Sequence, residues 1–214
     1  MRRPLIAILL AILAPAAAAE TLHHVILRDG EPVGSYRLSF ERNGDTLVVD
    51  SDLTVDVRAG FLPLFVYRHT AREVWQGDSL TALQTETYDN GRRLRVSGHA
   101  TSGGFVVDGA AGRILAPADI RPASFWRPDM VAQSRLLDPE TGRVLSVGAT
   151  LLGEERGDGA NPLRRYRLSG QLKHEVELSY SGDRWLSARF RMLGSDIEFR
   201  AQSPAEPPQV ATVR

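Results

Sequence analysis

His69, Glu73 and Tyr67 are the side chains of this sequence whose types could do acid–base chemistry. All three lie on one face of a run from Val66 to Trp75 that is typical of a β-strand. His69 and Glu73 are four residues apart, and at about 3.3 Å per residue their backbones are roughly 13 Å apart. This separation excludes a direct acid–base dyad, so a hydrolase or isomerase built on these residues needs a partner from another strand.

The sequence contains no other catalytic or metal-binding arrangement. It has no cysteine, which excludes disulfides, thiolate metal sites and a cysteine nucleophile. A Gly-x-Ser-x-Gly nucleophile turn and a helix-linked glycine loop for phosphate are both absent from the sequence. His23 and His24 are adjacent on a predicted strand, so their side chains point to opposite faces and cannot chelate one ion together. We therefore expect a non-enzymatic protein with no catalytic residues, no metal and no cofactor.

The charge of the chain excludes nucleic acid as an expected partner. The 26 basic and 26 acidic residues cancel. Without Arg2 and Arg3 the balance becomes 24 − 26 = −2, whereas nucleic-acid-binding domains are markedly basic.

The first nineteen residues have the pattern of a Sec-type signal peptide. Arg2 and Arg3 are followed by an apolar run from Leu5 to Leu13 and by Ala17-Ala18-Ala19. The apolar run is shorter than the roughly 18 residues that a membrane-spanning helix needs. We expect cleavage after Ala19, a periplasmic or secreted mature protein, and no transmembrane segment in it.

Alternating side chains predict a mainly β fold. Apolar and acidic residues occupy opposite faces from Leu47 to Arg58, and the segment from Tyr36 to Phe40 alternates in the same way. Asn43-Gly44, between these two segments, suits a tight hairpin turn. A second hairpin is predicted from the same signals: Leu172–Tyr180, Ser181-Gly182-Asp183 and Leu186–Met192.

The segment from Ala116 to Pro139 interrupts this alternation. Its four prolines preclude a central strand, and Pro128 predicts the start of one short helix of about ten residues with Met130, Ser134 and Leu137 on one stripe. A large sheet with a single helix can bury both faces only by curling. The expected fold is therefore a curved antiparallel sheet forming an open or partial barrel. It spans a single domain over residues 20–202, and a disordered tail follows at 203–214.

The run from Gly60 to Tyr67 is a bend that is apolar nearly throughout. Such a bend either completes the core or contacts an apolar ligand, a membrane or a partner, because exposed loops are not normally hydrophobic. Tryptophans suit either setting, and Trp185 lies on the strand face opposite Leu186 and Phe190. The residues we expect to line or guard a ligand site are Phe61, Leu62, Leu64, Phe65, Tyr67, His69, Glu73, Trp75 and Trp126.

Several of these residues belong to a wider set of motifs that resembles a known family. The motifs are Gly30 and Gly34, Tyr67-x-His69 with Glu73-x-Trp75, Asn90-Gly91, Ser124-x-Trp126 and Leu136-Leu137-Asp138-x-x-Thr141-Gly142. In order and spacing they resemble an exported proteobacterial family of unknown function, DUF6134. This resemblance implies a periplasmic β-rich fold and no known activity. More remotely, the plan resembles the half-barrels of the LolA and LolB lipoprotein carriers, which hold acyl chains between a sheet and covering helices.

The leading functional hypothesis is a periplasmic, non-enzymatic protein that binds a lipid or other amphiphile within its curved sheet. The first alternative is a structural or assembly factor of the envelope that binds another protein through an exposed strand edge or the apolar bend. The second alternative is a hydrolase or isomerase that uses His69, Glu73 and Tyr67 in a cleft.

Overall fold

Fifteen β-strands make up most of the residues described by the structure, a computed structural model that covers residues 19–157 and 161–202. The predicted signal peptide, apart from Ala19, and the predicted tail at 203–214 lie outside the described residues. The strands are β1 (Ala19–Arg28), β2 (Glu31–Asn43), β3 (Thr46–Ala59), β4 (Leu62–Gln76), β5 (Ser79–Asp89), β6 (Arg92–Thr101), β7 (Gly104–Gly109), β8 (Gly112–Ala116), β9 (Arg121–Pro122), β10 (Arg135–Leu137), β11 (Val144–Glu155), β12 (Leu163–Gly170), β13 (Val176–Ser181), β14 (Arg184–Met192) and β15 (Ser195–Ala201).

All of these strands belong to one sheet, in the order β8-β7-β6-β5-β4-β3-β2-β1-β15-β14-β13-β12-β11-β10-β9. Neighbours pair antiparallel, except that β9 and β10 are parallel. Because β15 returns to pair with β1, β1 joins two arms of the sheet. The sheet is curved and does not close into a barrel, which confirms the predicted mainly β, open architecture.

Both predicted hairpins are confirmed. β2 and β3 pair from Asn43↔Thr46 to Gly34↔Val55, and Gly44 takes the positive φ of 58° that this turn requires. β13 and β14 form the second hairpin around Gly182, although β13 starts only at Val176.

One core is shared by both arms and by the segment between β8 and β11, residues 117–143, which we call the plug segment. Tyr36 and Leu38 of one arm and Leu178 and Trp185 of the other are buried in this core. The plug segment contributes buried apolar side chains of its own: Ile120, Met130, Leu136 and Leu137. The concave face of the sheet is therefore covered by the chain itself.

The predicted ten-residue helix is wrong. Pro128 does open a helical turn, but this is a 3-10 turn that ends at Ala132. Leu137 belongs to β10, and the carbonyl of Ser134 accepts a hydrogen bond from the backbone N–H of Val147. Pairing with β11 thus takes the backbone groups that a longer helix would use. No helix among the described residues is long and apolar enough to cross a membrane.

His24 of β1 is a buried polar side chain in this core. Its ring stacks on that of Trp185, with centroids 3.9 Å apart and planes inclined by 24°. Neither ring nitrogen has a partner at hydrogen-bond geometry among the described residues. Burial lowers the pKa of His24 to about 4, so the ring is neutral at pH 7.

We predict that His24 makes the protein less stable in mild acid. In the unfolded chain His24 binds a proton below its ordinary pKa of about 6.5, whereas the folded protein resists protonation until about pH 4. Stability is therefore lost as the pH falls through this window, by about 2 kcal/mol between pH 7 and pH 5. Urea unfolding followed by tryptophan fluorescence measures this loss of stability. In the variant His24→Phe, the part of the pH dependence that comes from His24 should disappear. If the difference in unfolding free energy between wild type and His24→Phe were the same at pH 7 and pH 5, the assignment would be contradicted.

Candidate functional site

The nine residues expected to form a ligand site fall into three groups, which lie on β4, on the turn before it and, for Trp126, on the plug segment. Phe61, Leu62 and Leu64 are exposed at the end of the β3–β4 hairpin. A second group of three stacked rings follows along the strand, and Glu73, Trp75 and Trp126 form a third group at the plug segment.

The first group lies on a two-stranded ribbon that extends past its neighbours. β3 and β4 pair as far as Ala59↔Leu62, but β2 stops pairing with β3 at Val55 and β5 stops pairing with β4 at Tyr67. The carbonyl of Val66 still accepts a hydrogen bond from the backbone N–H of Asn90. Residues 56–65, here called the ribbon, therefore extend beyond the neighbouring strands. Phe61 is 95% exposed, Leu62 56% and Leu64 54%. The apolar bend thus does not complete the core.

Charges on the ribbon lie behind its tip and compensate one another. Arg58 donates two hydrogen bonds to the carboxylate of Asp56, at 2.9 and 3.0 Å. Arg68 lies 3.5 Å from the same carboxylate. The hydrogen bond from Arg58 holds the pKa of Asp56 below its usual range. The tip of the ribbon, residues 60–64, carries no charged or polar side chain.

Another turn with an exposed apolar residue lies at the same end of the sheet. Since β3 and β14 run in the same direction, the turns that follow them lie at one end. Leu193, in the turn after β14, is 92% exposed. Two turns therefore present apolar side chains at this end.

The second group consists of three rings on alternate residues of β4. The centroids of Phe65 and Tyr67 are 6.4 Å apart, those of Tyr67 and His69 are 6.5 Å apart, and both pairs are stacked. The hydroxyl of Tyr67 donates to Glu140 Oε1 at 2.9 Å, and Lys173 pairs with the other oxygen of Glu140. Through Glu140, the plug segment therefore joins β4 to the turn before β13.

His69 has a separate partner, Thr87 on β5. His69 Nδ1 lies 2.8 Å from Thr87 Oγ1, and both side chains are buried. Burial lowers the pKa of His69, an effect that Glu140 and Asp138 partly offset. His69 is therefore a buried histidine whose Nδ1 is already engaged by a hydroxyl group.

The third group is a buried carboxylate that accepts hydrogen bonds from two indoles. Glu73 Oε2 accepts from Trp75 Nε1 at 2.9 Å and from Trp126 Nε1 at 3.1 Å. The Arg127 guanidinium lies over the Trp75 ring, 4.5 Å from its centroid, and pairs with Asp129. Burial raises the pKa of Glu73, while the hydrogen bonds and Arg127 oppose that rise. Because Trp126 belongs to the plug segment, Glu73 ties that segment to β4.

His69 and Glu73 thus serve different partners, and the structure does not assemble them into an acid–base pair. Sequence reasoning missed Thr87, Glu140 and Arg127 as partners of these residues, because they lie on other strands or in the plug segment. No group of three or more His, Asp and Glu side chains within residues 19–157 and 161–202 could hold a metal ion.

We predict that Glu73→Ala destabilises the protein by about 3 kcal/mol or more, because the buried indole N–H of Trp75 and the partly buried one of Trp126 lose their acceptor. Urea unfolding of wild type and variant measures the difference. Glu86→Ala, at an exposed cross-strand pair with Arg95, is the control and should change stability by less than about 0.5 kcal/mol. If both variants unfold like wild type, Glu73 does not hold the plug segment.

Comparison with known proteins identifies a family but no function. The family model described as "Domain of unknown function (DUF6134)" matches residues 25–202. No curated protein and no solved structure matches the chain. The family resemblance of the sequence motifs is confirmed by the match, which spans well over half of the chain: this protein belongs to the DUF6134 family.

Proposed function

We propose that this protein is a non-enzymatic, lipid-binding protein of the cell envelope, and that it contacts lipid through the tip of its ribbon. The observation that carries this proposal is the exposure of Phe61, Leu62 and Leu64 on a hairpin that extends beyond its neighbours. Burying one such side chain is worth about 1.5 to 3 kcal/mol. An apolar tip left in water therefore has a strong tendency to find an apolar environment.

The shape of the tip favours a lipid surface over a folded partner. A stable protein interface buries about 800 Å² on each side, more than the tip of one convex hairpin offers. The boundary between headgroups and acyl chains accepts small apolar insertions with a polar flank. Arg58 suits that level, because its aliphatic stem can follow the tip while its guanidinium stays at the polar layer. Leu193, at the same end, offers a second point of insertion.

The sequence hypothesis assigned the lipid to the interior of the curved sheet. Met130, Leu136 and Leu137 of the plug segment are fully buried there. The proposed contact therefore lies at the ribbon tip and the adjoining Phe65 ring. The periplasm is the proposed site of action, and this rests on the signal-peptide pattern of the first nineteen residues.

Co-sedimentation of the purified protein with phosphatidylcholine and phosphatidylglycerol vesicles tests this proposal. We predict that replacing Phe61, Leu62 and Leu64 by serine lowers the bound fraction at least ten-fold, because the insertion energy is lost. Leu115→Ser is the matched control: Leu115 is 62% exposed on β8, outside the ribbon, and its replacement should leave binding unchanged. Equal binding of the triple variant, or a wild-type protein that binds neither vesicle, would overturn the proposal.

A strand edge supports a second candidate, the assembly factor. β11 pairs with β10 only from Val144 to Ser146, so no other described strand pairs with that side of Thr150–Glu155. Leu151 and Leu152 are exposed there, and an extended segment of a partner could pair with this edge.

Photo-crosslinking in cells separates the two candidates. A crosslinker at position 61 should trap lipid if the ribbon meets a membrane. One at position 152 should trap a single protein if the edge of β11 recruits a partner. A single protein trapped from position 61 as well would favour the assembly role over lipid binding.

A further inference from the structure

The polar face of β2–β7, opposite the core, carries an open groove of about 770 Å³. Its side chains form two rows that cross the strands, because directly paired residues point to the same side of a sheet. The first row follows the strand register from β2 to β6: Arg37, Asp52, Thr70, Glu86 and Arg95.

The second row lies next to the first and reaches β7. It consists of Ser39, Asp50, Arg72, Gln84, Ser97 and Asp108. Successive strands lie about 4.8 Å apart, so each row offers one polar group at every such step along the groove.

The charges of the groove are matched. Arg72 lies 2.7 Å from Asp50, Arg95 lies 3.1 Å from Glu86, and these four side chains are about half or more exposed. Three arginines and four acids line the groove, giving 3 − 4 = −1. This balance favours neither a polyanion nor a polycation, since either would meet like and opposite charges in nearly equal number.

The backbone of the strands that line the groove is paired within the sheet on both sides, except that β6 pairs with β7 only from Ser97 to Thr101. Recognition along β2–β5 must therefore use carboxylates that accept hydrogen bonds, guanidinium groups that donate them, and hydroxyl and amide groups that do both. A ligand rich in neutral hydroxyl groups matches all three kinds.

We infer that this groove binds a linear, neutral oligosaccharide that lies across the strands. Consecutive pyranose rings of such a chain are spaced much like adjacent strands, so successive sugars meet successive members of the two rows. The site is on the face opposite the core and does not depend on the ribbon or on lipid binding.

NMR titration of the isotope-labelled protein with maltohexaose, mannohexaose and chitohexaose tests this inference. We expect at least one hexasaccharide to shift amide signals that cluster on β2–β7. The double variant Asp50→Asn, Arg72→Gln should weaken that binding at least ten-fold, because it removes the central ion pair of the second row.

The matched control is the double variant Glu154→Gln, Arg164→Gln. This pair joins β11 and β12 at 2.8 Å with similar exposure, outside the groove, and should leave affinity unchanged. No shift with any hexasaccharide, shifts confined to other strands, or equal affinity of the Asp50/Arg72 variant would overturn the inference. Tighter binding of an extended Ser-Gly hexapeptide to the same strands would replace the sugar with a peptide.

Discussion

A sheet of this size must cover its apolar concave face, and here the chain does so without a helix layer. The plug segment supplies the cover, and the buried carboxylate of Glu73 ties it down by accepting hydrogen bonds from Trp75 on the sheet and Trp126 on the plug. Removing Glu73 would leave both indole N–H groups without this acceptor, and a buried unsatisfied donor costs about 1 to 3 kcal/mol. Glu140 adds a second attachment through Tyr67. The packing of both arms depends on these contacts.

Because the concave face is covered from within, binding is assigned to surfaces that the core does not use. The ribbon carries its apolar side chains past the end of the sheet, where packing cannot reach them. The polar face of β2–β7 presents two rows of paired charges and hydroxyl groups in a groove. The chain thus offers an apolar surface at the end of β3 and β4 and a polar surface further along the same strands.

Local signals predicted the strands well, whereas contacts between distant residues escaped the sequence. The β2–β3 hairpin followed from alternation and from Asn43-Gly44, because both act within a few residues. Trp185 was placed on the wrong face: a register shift opposite Tyr180 turns it into the core, fully buried against His24. The partnership of Tyr67 with Glu140, 73 residues away, has no local signal. Periodicity also could not show that the apolar bend stays exposed, because this depends on where β2 and β5 stop pairing.

The most direct measurement of the central claim is the environment of the ribbon tip beside a membrane. The sequence contains no cysteine, so Phe61→Cys and Leu115→Cys each provide one site for an environment-sensitive fluorophore such as NBD. On addition of phosphatidylcholine or phosphatidylglycerol vesicles, the account predicts a blue-shifted and brighter emission from position 61 and no change from position 115. Unchanged emission at position 61, or equal changes at both positions, would contradict it.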